Sequence, residues 1–458
     1  MTDMIWSGSS ADQWIEEILK HRRSGTILVL LTHGPDDVVW GIGRHPQSLD
    51  YEWWGVSHPR PVQRQDAARI GEWSSAEEDI ASRVGLQSAE ETSPKPKRVR
   101  GKGIFTYPLG PVHADVSESL RYELVVMGDE IIDLTLKHGF KSRHIPQLCQ
   151  GKPVLQALEL VERTTATSSF AHQWAFMMAV EDAQQQAVDE GTKIYRSVAL
   201  EMERLASHLG DLAMLASSTG LPVAQMDYLH LKEEILRWTY RLFGDRYLRG
   251  ALAHNQFHAD DGAARAILQV GEKVQGITDN LLHTPSFLDR LVGAGRVPKS
   301  TVDWVNPVGP IGRACGLKSD VRALWDYGVY DDISFPIPTS DQCDAYARFL
   351  VKSREIPASI NIIRRLLPVV PRQSRPIIPH SARRGGHPGM GMVEAARGML
   401  AYAVWLDPSG EGIRKVAAAT PSARNWPVVP PAMANSNILQ DFPIIDASFS
   451  LSVAGWDL

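Results

Sequence analysis

Ile194-Tyr195-Arg196-Ser197-Val198-Ala199-Leu200-Glu201-Met202-Glu203-Arg204-Leu205-Ala206-Ser207-His208-Leu209-Gly210-Asp211-Leu212 is the stretch on which the fold turns. Ile194, Val198, Met202, Leu205, Leu209 and Leu212 recur at spacings of three and four, which marks one buried face of a long helix. Glu201, Arg204, His208 and Asp211 repeat at the same spacings, so four ionisable groups share a second face. Two readings of that face are open. One is a solvated stripe of local ion pairs. The other is a buried seam that passes on a protonation or conformational change, where burial would shift pKa values.

Outward from this helix, helical periodicity covers Pro153 to about Val292, with Gly191 and Gly220 expected as stops between helices. A further long helix is expected from Ser340 to Leu367, with Tyr346, Phe349, Leu350 and Ile356 on its buried side. From Gly103 to Lys141 the pattern is strand and turn: Leu120 to Val126, a turn at Gly128-Asp129, then Ile131-Ile132. After a Pro- and Arg-rich loop, Leu400 to Leu406 forms the first arm of a hairpin that turns at Asp407-Pro408-Ser409-Gly410. The Gly-Gly-His-Pro-Gly-Met-Gly run at 385–391 superficially resembles a phosphate loop but reads as a flexible loop, since Pro388 interrupts any helix start. Residues 1–88 read as a small α/β domain, with helices at Ala11 to His21 and Ser75 to Val84 and strands at Thr26 to Thr32 and Asp37 to Ile42. Residues 89–102 are a polar, basic linker containing Pro94-Lys95-Pro96-Lys97-Arg98. The fold class is therefore α+β, with residues 103–458 as a sheet and long-helix-bundle domain.

The 458 residues and net charge of -5 fit a folded globular protein and give no electrostatic reason to expect nucleic-acid binding. Cys149, Cys315 and Cys343 form no Cys-x-x-Cys pair, which suits a reducing cytoplasm, and a disulfide framework is not needed at this length. No stretch approaches the roughly 20 apolar residues of a membrane span, and the start lacks the order of a signal peptide. Membrane association is thus expected only through partners. There is no Gly-x-Gly-x-x-Gly fingerprint for a nicotinamide cofactor and no cysteine cluster for an iron-sulfur centre.

Several blocks carry a common pattern. Pro108-Leu109-Gly110-Pro111-Val112-His113-Ala114 is similar to a Gly-Pro-x-His sheet loop. Glu162-Arg163-Thr164-Thr165-Ala166-Thr167-Ser168-Ser169-Phe170-Ala171-His172 resembles a Glu-Arg-x-Cys-x-x-Cys-Ser-Phe-x-His helix start, and Glu201 to Leu209 resembles a Glu-x-x-Arg-x-x-x-His-Leu helix. Gly309-Pro310-Ile311-Gly312-Arg313-Ala314-Cys315-Gly316 with Asp320-Val321-Arg322, then Val393-Glu394-Ala395-Ala396-Arg397-Gly398, Thr420 to Trp426 and Asp446 to Leu451 follow in order. Over 103–458 the chain resembles the large-subunit family shared by membrane-bound nickel-iron hydrogenases and complex I, where it is the 49-kilodalton-type, or D-type, subunit of NADH-quinone oxidoreductase. Trp73 to Ile80 faintly resembles the 30-kilodalton-type domain that accompanies the hydrogenase branch.

The resemblance implies specific losses. Nickel and iron are held in the family by thiolates from two Cys-x-x-Cys pairs, which fall here at Thr165 and Ser168 and at Ser448 and Leu451. Hydroxyls and a leucine cannot replace soft anionic ligands, so no metal is expected. The His and Tyr that approach the quinone headgroup in complex I become Ser117 and Ala166, with His113, Ser168 and His172 as substitutes. The remodelled cavity would then comprise His113, Ser117, Thr165, Ala166, Ser168, His172, Arg397 and Ser448. Blander readings stay open beside these: His113 as a structural histidine, His172 as a core group and Arg397 as a binder of backbone carbonyls.

The resemblance further implies a peripheral subunit on the cytoplasmic side of the cell membrane, with no cofactor of its own. Its expected partners are a small iron-sulfur subunit and antiporter-like membrane subunits. Its expected role is to couple a redox or conformational event to ion or solute transport. The alternative is an oxidoreductase subunit whose remodelled cavity reduces quinone or another small molecule.

Overall fold

The computed structural model describes residues 101–113, 118–372 and 388–458 in full, together with the backbone of four earlier strands. Those strands are β1 (Met4–Ile5), β2 (Ile27–His33), β3 (Val38–Arg44) and β4 (Tyr51–Ser57), in the order β1-β4-β3-β2. β2 and β3 match the expected strands. β1 and β4 lie outside the expectation, although the aromatic and β-branched content of β4 suits a pleated surface. The expected helices at 11–21 and 75–84, most of the 89–102 linker, the loop at 373–387 and Ser117 lie outside the described residues.

The rest of the chain is α+β. β5 (Ile104–Leu109), β6 (Arg121–Met127) and β7 (Glu130–Lys137) form one antiparallel sheet, with the β6–β7 hairpin turning at Gly128, whose φ is 65°. β8 (Gly389–Ala395), β9 (Gly398–Leu406) and β10 (Ile413–Ala419) form a second antiparallel sheet in the order β10-β9-β8. The expected hairpin is β9–β10. The flexible loop expected through Gly391 is corrected at its end, because Gly389 and Gly391 begin a buried strand. A Cβ on Gly389 would stand 2.0 Å from the Ala179 carbonyl oxygen, and one on Gly391 would stand 2.0 Å from that of Ala175. These glycines let a strand lie directly on a helix backbone.

That helix is α1 (Ser169–Ala183), which is buried over nearly its whole circumference. α2 (Glu190–Ser218) packs beside it, α3 (Pro222–Phe243) packs on α2, and α4 (Ala263–Leu282) packs on α3. The helix of the opening stretch is α2, capped by Asp189, whose carboxylate accepts from the Thr192 amide at 3.1 Å. Gly191, expected as a stop, lies in its first turn instead. On α2, Val198, Met202, Leu205, Leu209 and Leu212 are all buried, each contributing about 1.5–3 kcal/mol relative to exposure. Pro222 starts α3 and Gly244, with φ 84°, ends it.

The C-terminal elements close over this bundle. α5 (Gly309–Ala314) and α6 (Val321–Leu324) precede the long α7 (Ala345–Leu366), which matches the helix expected at 340–367 and is capped by Asp344 through the Ala347 amide at 2.9 Å. α8 (Phe442–Phe449) packs against α2 and α7. Cys315 and Cys343 are separated by 28 positions, yet their Cα atoms lie 4.3 Å apart and their sulfurs are joined as a disulfide. The sequence spacing, which suits a reducing cytoplasm, does not announce this pair. Cys149 remains free and buried, and burial pushes its thiol up to about 12. Among the described residues no helix is long and apolar enough to cross a membrane.

Candidate functional site

The polar face of α2 is buried. Glu201 and His208 are fully shielded, Arg204 nearly so, and Asp211 is 8% exposed. The face is therefore buried and is not a solvated stripe. A buried charge is tolerated only when paired and hydrogen-bonded, and each of the four finds partners on other elements.

Glu201 is the hub. One carboxylate oxygen accepts from the Tyr330 hydroxyl at 2.8 Å and from the Arg322 guanidinium at 3.1 Å; the other accepts from Ser359 at 2.6 Å and Arg204 Nε at 3.1 Å. Burial pushes this carboxyl up, but Arg204 and Arg322 outweigh it and hold the group down at about 2. Arg204 also donates to the backbone carbonyls of Glu394 at 2.5 Å and Ala395 at 3.0 Å, tying α2 to the end of β8. Arg322 is clamped in turn by Asp320 at 2.7 and 3.0 Å.

Arg313, on the short α5, is the second hub. Its Nε donates to Glu355 of α7 at 2.7 Å, and its Nη1 donates to Glu394 of β8 at 2.8 Å and to the Ser319 carbonyl at 2.9 Å. The other oxygen of Glu355 accepts from His208 Nε2 at 2.7 Å. Four carboxylates (Glu201, Asp320, Glu355 and Glu394) thus face three guanidiniums and one imidazole. Burial pushes the His208 pKa down and favours the neutral ring, against the pull of Glu355. The local sum is then one negative charge in excess, which one proton would neutralise. Glu355 is held at about 2, because Arg313 outweighs its burial. Glu394 goes the other way: burial and the neighbouring Asp320 charge push it up to about 6 despite Arg313. It is the carboxyl of this network poised near neutrality.

One turn beyond His208 the character changes. Asp211 meets Lys352 at 3.2 Å and Arg397 at 3.4 Å. Lys352 also donates to the Ser448 carbonyl at 3.1 Å and the Ser450 hydroxyl at 2.7 Å. Arg348, one turn before Lys352 on α7, donates to the Ser448 hydroxyl at 2.8 and 3.0 Å and lies 3.9 Å from the centre of the Phe449 ring. Burial lowers Arg348 to about 9. Arg397 bridges the Thr167 hydroxyl and the Ser450 carbonyl, so it joins the 165–168 segment to the 448–451 segment. The donor atoms offered by Thr165, Ser168 and Ser448 are hydroxyl oxygens, Leu451 offers none, and the hydroxyl of Ser448 is already engaged by a guanidinium. This set does not fit a metal bound through thiolates.

The remaining candidates separate. His113 is half-buried and donates to the Leu120 carbonyl at 2.6 Å, within its own loop. His172 is buried 2.7 Å from the Tyr402 hydroxyl, and burial lowers its pKa to about 3, so it is a neutral core group. Ala166 is exposed and borders a cavity of about 50 Å³ that is also lined by Thr167, Glu203, Ser207, Leu236 and Leu248. Glu203 accepts the amides of Phe170 at 2.5 Å and Ala171 at 3.0 Å at the start of α1, yet burial still pushes it up to about 8.

Residues 249–384 match the family described as the respiratory-chain NADH dehydrogenase 49-kDa subunit. The carbon monoxide-induced hydrogenase of Rhodospirillum rubrum is 27% identical over 352 residues, which span 74% of this chain and 96% of that protein. The chain is thus similar to subunits of NADH-quinone oxidoreductases and of membrane-bound hydrogenases. The D-type subunit of an NADH-quinone oxidoreductase from Dehalococcoides mccartyi is likewise 27% identical, over 74% of this chain and 92% of its own length. The alpha subunit of the membrane-bound hydrogenase of Pyrococcus furiosus is 26% identical over 65% of this chain and 74% of its own length. In fold, the chain resembles one from the membrane-bound sulfane sulfur reductase, an archaeal respiratory membrane complex, with a TM-score of 0.71 and 22% identity over 79% of this chain and all of that one. The relatives are thus subunits of multi-subunit respiratory and hydrogenase complexes.

Sequence periodicity identifies the α2 members of the network but not their partners as a group. A signal for those partners is present in α7: Arg348, Lys352, Glu355 and Ser359 follow each other at spacings of four, three and four.

Proposed function

We propose that this chain is a peripheral subunit of a complex I-like or energy-converting-hydrogenase-related membrane complex, without a nickel-iron centre, and that it couples a redox or conformational event to ion or solute transport. The observation that carries this reading is the buried network centred on Glu201 and Arg313. Five separate elements supply its charges, and its sum changes by one with the proton on Glu394. A proton gained or lost there shifts the balance of ion pairs that fasten β8 and α5 to α2 and α7, which is a physical route from protonation to movement. The absence of thiolates at Thr165, Ser168, Ser448 and Leu451 supports the lack of nickel. The exposed Phe105 and Tyr107 on the edge strand β5, beside the exposed Val112, support burial against a partner. That partner is proposed to be the small iron-sulfur subunit, with antiporter-like membrane subunits beyond it, on the cytoplasmic side of the membrane.

The test is purification from membranes with the co-expressed partners. Recovery in a multi-subunit complex with negligible nickel by elemental analysis is expected. Near-stoichiometric nickel, or a chain that stays monomeric and cytosolic beside its partners, contradicts the reading.

The cavity beside Ala166 favours a second reading, in which a small redox molecule is reduced there. Glu203, protonated at neutral pH, would be the proton donor. Robust quinone-dependent turnover that Ala166→Trp abolishes would select this reading over the first.

A further inference from the structure

The disulfide lies at the edge of the network and spans two of the elements that hold it. Cys315 is the residue that ends α5, two positions after Arg313, and Cys343 lies just before the Asp344 cap of α7. The same two segments are joined by backbone hydrogen bonds, from the Cys343 amide to the Ala314 carbonyl at 3.0 Å and from the Ser340 amide to the Arg313 carbonyl at 2.9 Å. About three turns further along α7 they are joined again, by Arg313 and Glu355. Both cysteines are partly exposed, whereas Cys149 is sealed in the core. The pair is thus open to reagents at a place where its state bears on Arg313.

We infer that Cys315 and Cys343 are a reversible redox-modification site, a disulfide that a dithiol reductant opens and a disulfide oxidant closes, and that its state sets how firmly α5 holds Arg313 against Glu355 and Glu394. A thiolate of the reductant attacks one sulfur of the bridge, forming a mixed disulfide and releasing the other cysteine as a thiolate that takes up a proton. The second thiol of the reductant displaces the remaining cysteine. Two electrons and two protons pass to the protein, and the reductant leaves as a disulfide. Opening the bridge removes a constraint between segments 28 positions apart and leaves α5, six residues long, held by its backbone bonds and by Arg313. The inference stands on the contact of α5 with α7 and not on membership of a membrane complex. Only a consequence for transport would rest on the proposed function.

The test uses the full chain, treated with oxidised glutathione or with dithiothreitol and then alkylated under native conditions. In the oxidised sample neither Cys315 nor Cys343 takes up iodoacetamide; after dithiothreitol both do, and glutathione disulfide restores protection. Hydrogen exchange of the reduced protein rises about tenfold at 309–316 and at the start of α7, with little change in α1. A Cys315→Ala, Cys343→Ala variant exchanges like the reduced protein. If that variant does not fold, the oxidised and reduced wild-type samples still decide the matter. The inference is overturned if both cysteines alkylate after glutathione treatment, if the bridge opens only in denaturant, or if opening leaves exchange at 309–316 unchanged.

Discussion

Two stretches of one helix face, three residues apart, solve the problem of buried charge differently. Around Glu201, Arg204 and His208 every carboxylate meets a guanidinium or imidazole, and the pairs interlock through Arg313 and Arg322. Around Asp211 a single carboxylate faces Lys352 and Arg397, with Arg348 close by and bound by a hydroxyl, carbonyls and an aromatic ring. The first arrangement is mutually dependent, so a change in one proton or one ion pair is felt by all members. The second is rich in cations and binds the backbone and hydroxyls of the 448–450 turn. It is an anchor between the 165–168 and 448–451 segments, and its members are more nearly independent.

The comparison is sharpest at Arg313. Arg313→Met leaves Glu355 and Glu394 without their shared guanidinium and should cost about 4–5 kcal/mol in chemical denaturation; a loss under about 1 kcal/mol would mean the network is not mutually dependent. Arg204→Met should cost about 3 kcal/mol, less than Arg313→Met, because Glu201 retains Arg322, Tyr330 and Ser359.

Acid titration of stability separates the carboxylates by sign. Glu201 and Glu355 are held at about 2, below their ordinary value, so the stability they confer is present above the usual carboxylate range and is lost as pH falls toward 2. Glu394 is raised to about 6, so its contribution is complete below the ordinary carboxylate pKa and is lost as pH rises through 6. Glu394→Gln should therefore flatten the stability profile between about pH 4.5 and 6 and leave the acid limb in place. An unchanged profile across that window would remove Glu394 from the role of titrating group. The smallest effect belongs to the anchor: Ser448→Ala should cost about 1 kcal/mol, and Lys352→Met should cost less than Arg204→Met, since Asp211 keeps Arg397. A larger loss at either would show that the two stretches are one network.

Much of this was legible in the sequence. Hydrophobic spacing located α2 and α7, and the turn at Gly128 and the hairpin β9–β10 followed from local turn chemistry. β8 was not legible, because two glycines and a proline near its start look like a loop until the backbone of α1 is placed against them. The Cys315–Cys343 pair and the Arg313–Glu355–Glu394 cluster were also hidden. Their members lie up to 81 positions apart, and no local periodicity reports a contact made by tertiary packing. The burial of the Glu201 to Asp211 face could not be decided from spacing, since a solvated stripe and a buried seam share the same repeat.

The most direct measurement of the central claim is transport by the assembled complex carrying His208→Gln or Glu394→Gln. Both side chains keep a hydrogen-bonding shape, so the subunit should fold and assemble, while neither can gain or lose a proton near neutrality. Assembly at wild-type yield with transport reduced about tenfold or more is the predicted outcome, in line with about 1.4 kcal/mol or more of lost coupling. Normal transport in both assembled variants would contradict the account and leave the network a structural feature alone.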